Sequence, residues 1–294
     1  MELFNKVQLY KSRSYKACVT DAHKMFYENI KMIFRNTWLA SLIVAVVGAV
    51  YMYFYTEIAT ATNINSFPLG YALSFIAMIC ASIVFMAKVM TMLNKQSMKH
   101  NLKKGSGAVI SIWLIHLITF CMTFFVYYKT TNGTMTFNNM DQMMNFTLYS
   151  GAICIIMLII TIPLIYTYMK YFMEKECKLH QIFTKYYIRG LRHYGFIFIT
   201  WFITTLLLSI CSIIVSVPII IVGTARNMSV YGIKELGDPS GLPSYFELLA
   251  AGTTTISLFI ATYIAIVAIF IFTLIYGSVE TRIKEKKEFI KSNK

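Results

Sequence analysis

Charge is scarce in this chain, and acidic charge is scarcest. Only 14% of its 294 residues are Asp, Glu, Lys or Arg, where an ordinary soluble domain carries about a quarter. Thirteen acids stand against 27 bases. The shortage excludes a soluble globule of usual composition. Familiar catalytic signatures are also missing: no CxxC pair, Walker loop, HExxH or GxSxG motif occurs. No recognised nucleic-acid motif accompanies the net charge of +14, so nucleic acid is not expected as a partner. No cofactor signature is present either.

What the chain has instead is apolar length. Six runs, 38–55, 70–93, 108–128, 148–169, 194–222 and 250–276, are apolar almost throughout, and about 20 such residues cross the hydrocarbon core as a helix. Lipid offers no water to free backbone groups, so each run is expected to be helical. The expected fold class is all-α, a polytopic membrane protein with six transmembrane helices. The first 37 residues are polar and basic, and no small-residue cleavage pattern follows the first run, which is therefore expected to remain in the membrane. Pro163 and Pro218 mark places where the fourth and fifth runs can bend.

With both termini placed in the cytoplasm, every Lys and Arg except Lys129, Arg226 and Lys234 falls on the inner side. The positive-inside rule fixes that orientation, and anionic headgroups account for the basic excess. The Lys- and Ile-rich composition points to a bacterial inner membrane. Of the six cysteines, Cys80, Cys121, Cys154 and Cys211 lie within spans, while Cys18 and Cys177 face the reducing cytoplasm; disulfides are not expected.

The spans group into three hairpins, giving a single membrane domain over 1–294. It comprises a cytoplasmic arm and interfacial helix (1–37), hairpin 1 (38–93), hairpin 2 (94–169), a second interfacial helix (170–193), hairpin 3 (194–279) and a basic tail (280–294). One constant shift aligns His23 with His180, Phe26 with Phe183 and Arg35 with Arg192, each set just before an outward span. An even number of spans separates the copies, which makes the repeat parallel. The segment 99–107 holds the same place before the third span, but it is too short and polar for the same helix.

Both lead-ins read as amphipathic. Lys24, Glu28, Lys31 and Arg35 follow helical spacing opposite Phe26, Ile30 and Ile33. In the second, Gln181, Lys185, Arg189 and Arg192 oppose Phe183, Tyr187 and Leu191. Such helices lie in the interface with apolar side chains among acyl chains and cations near phosphates. Lys24, Lys31, Arg35, Lys185, Arg189 and Arg192 are therefore the candidate headgroup contacts. Alternative uses of the same surface are docking of a protein partner or of a second copy of the chain.

Ionisable residues within the runs are confined to Lys88, near a span end, and His116. Small residues recur at helical spacing: Ser41, Ala45 and Ala49 in the first span, and Thr205, Ser209, Ser212 and Ser216 in the fifth. Close helix packing explains such faces. A candidate substrate path along the fifth span, with His116, is the competing reading. In 174–180 (EKECKLH), Glu176, Cys177 and His180 share a face if the segment is helical, and His23 offers a fourth ligand. A solvated juxtamembrane helix explains the same residues without a metal.

The plan of lead-ins before paired spans, with TTLLLSICSIIVSVPIIIV in the fifth span, resembles a loose group of bacterial six-helix proteins. These are similar to the membrane domain attached to some glycerophosphodiester phosphodiesterases. The resemblance implies membrane organisation. It does not imply hydrolysis, because the acidic metal ligands of the catalytic domain have no counterpart here. Three functions remain in contention: a non-enzymatic membrane protein that contacts lipids or scaffolds a partner, a transporter or channel-like protein for a small or amphiphilic molecule, and a lipid-modifying enzyme at the cytoplasmic face.

Overall fold

A computed structural model describes residues 9–60, 69–133, 136, 139–235, 237 and 241–292. Among these residues there are ten helices and no strands. They are α1 (Tyr15–Glu28), α2 (Ile30–Thr60), α3 (Leu69–Asn94), α4 (Met98–Thr130), α5 (Met140–Thr161), α6 (Leu164–Met173), α7 (Leu179–Phe183), α8 (Lys185–Arg192), α9 (Tyr194–Glu235) and α10 (Phe246–Ser292). Six helical stretches are long and apolar enough to cross a membrane: α2, α3, α4, the α5–α6 pair, α9 and α10. The chain is a multi-pass helical membrane protein.

Several boundaries differ from the hydropathy reading. The first lead-in breaks at Asn29, whose side chain donates to the Met25 carbonyl at 2.9 Å. Lys31 and Arg35 therefore ride on the first turns of the spanning helix α2. The segment 99–107 is helical and continuous with α4, whose N-terminus is capped by the Ser97 hydroxyl accepting from the His100 N–H at 3.3 Å. The tail from 280 is not separate, because α10 runs unbroken to Ser292. The fourth span breaks at Ile162–Pro163 into α5 and α6. Pro218 lies inside α9, which continues through it.

The spans form a curved row in the order α9, α10, α2, α3, α4, α5, each packed on the next. α6 turns inward from the end of this row and packs against α10, with lesser contacts to α3 and α4. Among the described residues the two ends of the row, α5 and α9, share no packed interface. The assembly is a horseshoe with one open side.

Burial is uneven along the bundle. The core gathers α6, the second half of α10, α1 and the adjoining ends of α2 and α3. Leu9 and Arg13 lie against Gly277 and Arg282, so the described parts of both chain ends sit at this same end. We call it the basic end. Away from it, α5 buries no side chain at all. On α2, Ser41, Ala45 and Ala49 are buried and let its neighbours approach closely, as small faces do.

Candidate lipid-facing site at the basic end

The last four carbonyls of any helix lack partners within it. In α6 each one finds a partner. Lys170 O accepts from the Glu174 N–H at 3.0 Å. Tyr171 O accepts from Lys104 Nζ at 2.5 Å, Phe172 O from Asn94 Nδ2 at 2.9 Å and Met173 O from Gln96 Nε2 at 3.4 Å. Lys104 also reaches Glu174 O at 2.6 Å. A buried ammonium there is favoured by the negative end of the helix dipole. Lys104 and the α3–α4 turn thus close the base of α6.

One turn above lies a buried ionic cluster. Lys170, only 3% exposed, sits 2.6 Å from Glu280 Oε1 and 2.7 Å from Glu174 Oε1. Tyr166 donates to the same Glu280 oxygen at 2.5 Å, and Tyr276 donates to Glu174 Oε1 at 3.2 Å. The Lys170 ammonium also lies 4.8 Å from the centre of the Tyr186 ring, which Arg189 covers at 5.3 Å. The cluster ties α6, α8 and α10 together. The positive-inside reading counts Lys104, Lys170 and Arg13 among the inner-side cations. All three are buried and bonded, Arg13 to Asp21 at 2.9 Å.

α7 and α8 form a collar under the α5–α6 break. Gly190 makes the approach feasible: a Cβ there would meet Pro163 O at 2.9 Å. Tyr187 donates to the Ile160 carbonyl at 2.9 Å, and Phe183 stands edge-on to Tyr168. Phe183, Ile188 and Leu191 remain exposed. Lys185 and Arg192 are exposed and Arg189 is half-buried. Beside them, burial holds the His193 imidazole below its usual pKa, and Arg282, Lys286 and Arg192 add to that effect. The ring is therefore neutral at pH 7.

The first lead-in behaves differently. Cys18, Val19 and Ala22 bury the apolar side of α1, which packs on α9 and α10, and Phe26 meets Phe270. Much of its apolar side is thus covered by protein, with Ile33 buried, while Ile30 stays exposed. Lys24 is exposed and 3.8 Å from Glu28, and Lys31 and Arg35 are exposed on α2.

The remaining sequence candidates are not brought together. Residues 174–178 are not helical, because Glu174 ends α6. Glu176 and His180 are exposed, Cys177 is buried, and His23 sits on α1. Among the described residues no group of three His, Cys, Asp or Glu is placed to hold a metal. Burial pushes the Cys177 and Cys18 thiols up, so both stay protonated and poorly nucleophilic. In α9, Thr205, Ser209 and Ser212 are exposed on the outer side and Ser216 is half-buried. Ser209 and Ser216 bond back to their own helix. The buried face of α9 is a different one, carrying Ile197, Thr200 and Thr204, so the serine face lines no internal path.

A hollow of about 590 Å³ does exist, in the open side of the horseshoe. α4, α5 and α6 wall it, with Trp201 of α9 and Phe272 of α10 behind, and His116 lines it. The His116 Nδ1 is paired with the Ile112 carbonyl of its own helix at 2.8 Å. Comparison of the chain with protein-family models, curated proteins and solved structures finds no match in any of the three.

Proposed function

We propose that this chain is a non-enzymatic protein of a bacterial inner membrane that engages anionic lipid headgroups at its basic end, with both termini cytoplasmic. One observation carries the reading. Residues 178–193 hold Lys178, Lys185, Arg189 and Arg192 and no acid, and they form a collar on which Phe183, Ile188 and Leu191 are exposed. Apolar side chains and cations offered together at a span end suit the interface between acyl chains and phosphates. Each such cation contributes about 1 kcal/mol of attraction to an anionic surface. The collar is anchored by the Gly190–Pro163 contact and the Tyr187–Ile160 hydrogen bond, which fixes its height relative to the spans. The same surface would serve a partner protein bearing acidic groups.

The test is lipid selection by the purified full chain. Reconstituted in nanodiscs of mixed phosphatidylglycerol and phosphatidylcholine, the protein retains phosphatidylglycerol preferentially on extraction, as read by native mass spectrometry. Replacing Lys185, Arg189 and Arg192 with Gln lowers that preference several-fold while the helical content holds. An unchanged preference in the triple variant contradicts the reading. Transport is the second reading, and the hollow beside His116 is the observation that favours it; the outward-facing serines of α9 no longer support it.

A further inference from the structure

The hollow is not an irregular void. On α4 its wall runs from Ala108 to Thr123, about 22 Å at the helical rise of 1.5 Å per residue. One bilayer leaflet is about 15 Å deep, half of the ~30 Å hydrocarbon core, so the wall exceeds the reach of one leaflet. Its lining is mostly apolar, and its His and Thr side chains bond within their own helices. His116 bonds Ile112 O, Thr119 bonds Ile115 O and Thr161 bonds Leu158 O, each within its own helix. The rest of the lining is hydrocarbon, aromatic ring and sulfur. The space is open sideways, because Phe120 on its rim is 65% exposed and α5 does not pack on α9. At its lower end, Tyr168 and Phe172 lead down to the collar, where Phe183 packs on Tyr168.

We infer that the open side of the horseshoe is a binding site for one acyl chain of an anionic glycerophospholipid, whose headgroup lies over Lys178 and the cations of α8. The inference rests on the proposed orientation and deepens it. A long apolar slot reached from the side admits a chain already in the bilayer. A cationic collar without acids at its foot selects a phosphate-bearing headgroup over a neutral one. The His and Thr side chains that could hold a polar solute are already bonded to carbonyls of their own helices.

The probe is a phospholipid with a diazirine in its acyl chain, as the phosphatidylglycerol or the phosphatidylcholine, diluted into nanodiscs of the same headgroup around the full-length protein. After illumination, adducts are mapped by peptide mass spectrometry. The expected result is several-fold enrichment at Ile112, Ile115, Thr119 and Leu158 over Leu117 and Ile156, which are exposed but lie outside the hollow. The enrichment appears with phosphatidylglycerol and fades with phosphatidylcholine. Cys154→Trp fills the slot from α5, a helix that buries no side chain and so tolerates the change; adducts at the wall drop while those at Leu117 and Ile156 stay. Even labelling of wall and outer faces, or labelling indifferent to Cys154→Trp, overturns the site. Equal enrichment with both lipids overturns the headgroup assignment. Loss of wall adducts with phosphatidylglycerol selection intact removes the site alone. Loss of selection in the Gln triple variant, with wall adducts kept, separates the collar from the slot.

Discussion

At the scale of single residues, the unexpected feature is that three cations at the basic end are buried and bonded to protein. Lys170 is held between two carboxylates, Lys104 on two carbonyls, and Arg13 on Asp21 and the Leu9 carbonyl. Removing one partner of a buried pair leaves an uncompensated charge and costs about 3–5 kcal/mol. Lys170→Met is therefore expected to destabilise the protein by that amount in chemical unfolding from detergent micelles. Adding Glu280→Gln recovers part of the loss, since Glu280 is the more deeply buried carboxylate and Glu174 is partly exposed. A Lys170→Met protein as stable as the parent contradicts the pairing, and a double-mutant cycle isolates the term. None of this was legible locally. Lys170 and Glu280 are 110 positions apart, and a lysine at a span boundary has the same appearance in sequence whether it snorkels or is buried.

At the scale of elements, hydropathy located the spans well and their ends poorly. Hydropathy responds to apolar length, so it places the start of α4 at the first apolar residue, although Ser97 caps the helix well before that. It also cannot say which proline breaks a helix. Pro163 ends α5 because the adjoining turn is filled: α8 brings Gly190 against the Pro163 carbonyl, and α6 turns into the core. Pro218 is exposed on α9, which continues through it. Gly190→Val therefore pushes α8 away from the break. Overpacking of this kind costs about 1–3 kcal/mol, and hydrogen exchange of amides in 180–192 is expected to rise. Unchanged exchange with unchanged stability would show that the collar is not seated on Pro163. Periodicity reads both lead-ins as amphipathic. The first packs Cys18, Val19 and Ala22 into the core against α9 and α10, because periodicity identifies an apolar face and not its neighbour.

At the scale of the whole molecule, the hairpin pairs α2–α3, α4–α5 and α9–α10 follow from short connections between consecutive spans. The row and its open side do not follow from sequence, because in lipid every face of these helices is apolar and hydrophobicity no longer distinguishes inside from outside. Small residues were a partial guide. They mark a packed face on α2 and an outer face on α9. The slot beside α5 and the collar beneath it depend on the bundle standing in the membrane with the basic end toward the cytoplasm. Single-cysteine labelling with a membrane-impermeant maleimide tests this most directly, on a chain whose six native cysteines are replaced. Lys16→Cys and Glu288→Cys, at the basic end, are expected to react only after cells are permeabilised, and Met140→Cys, at the start of α5, to react in intact spheroplasts. Reaction of Lys16→Cys in intact spheroplasts, or opposite accessibility of positions 16 and 288, would contradict it.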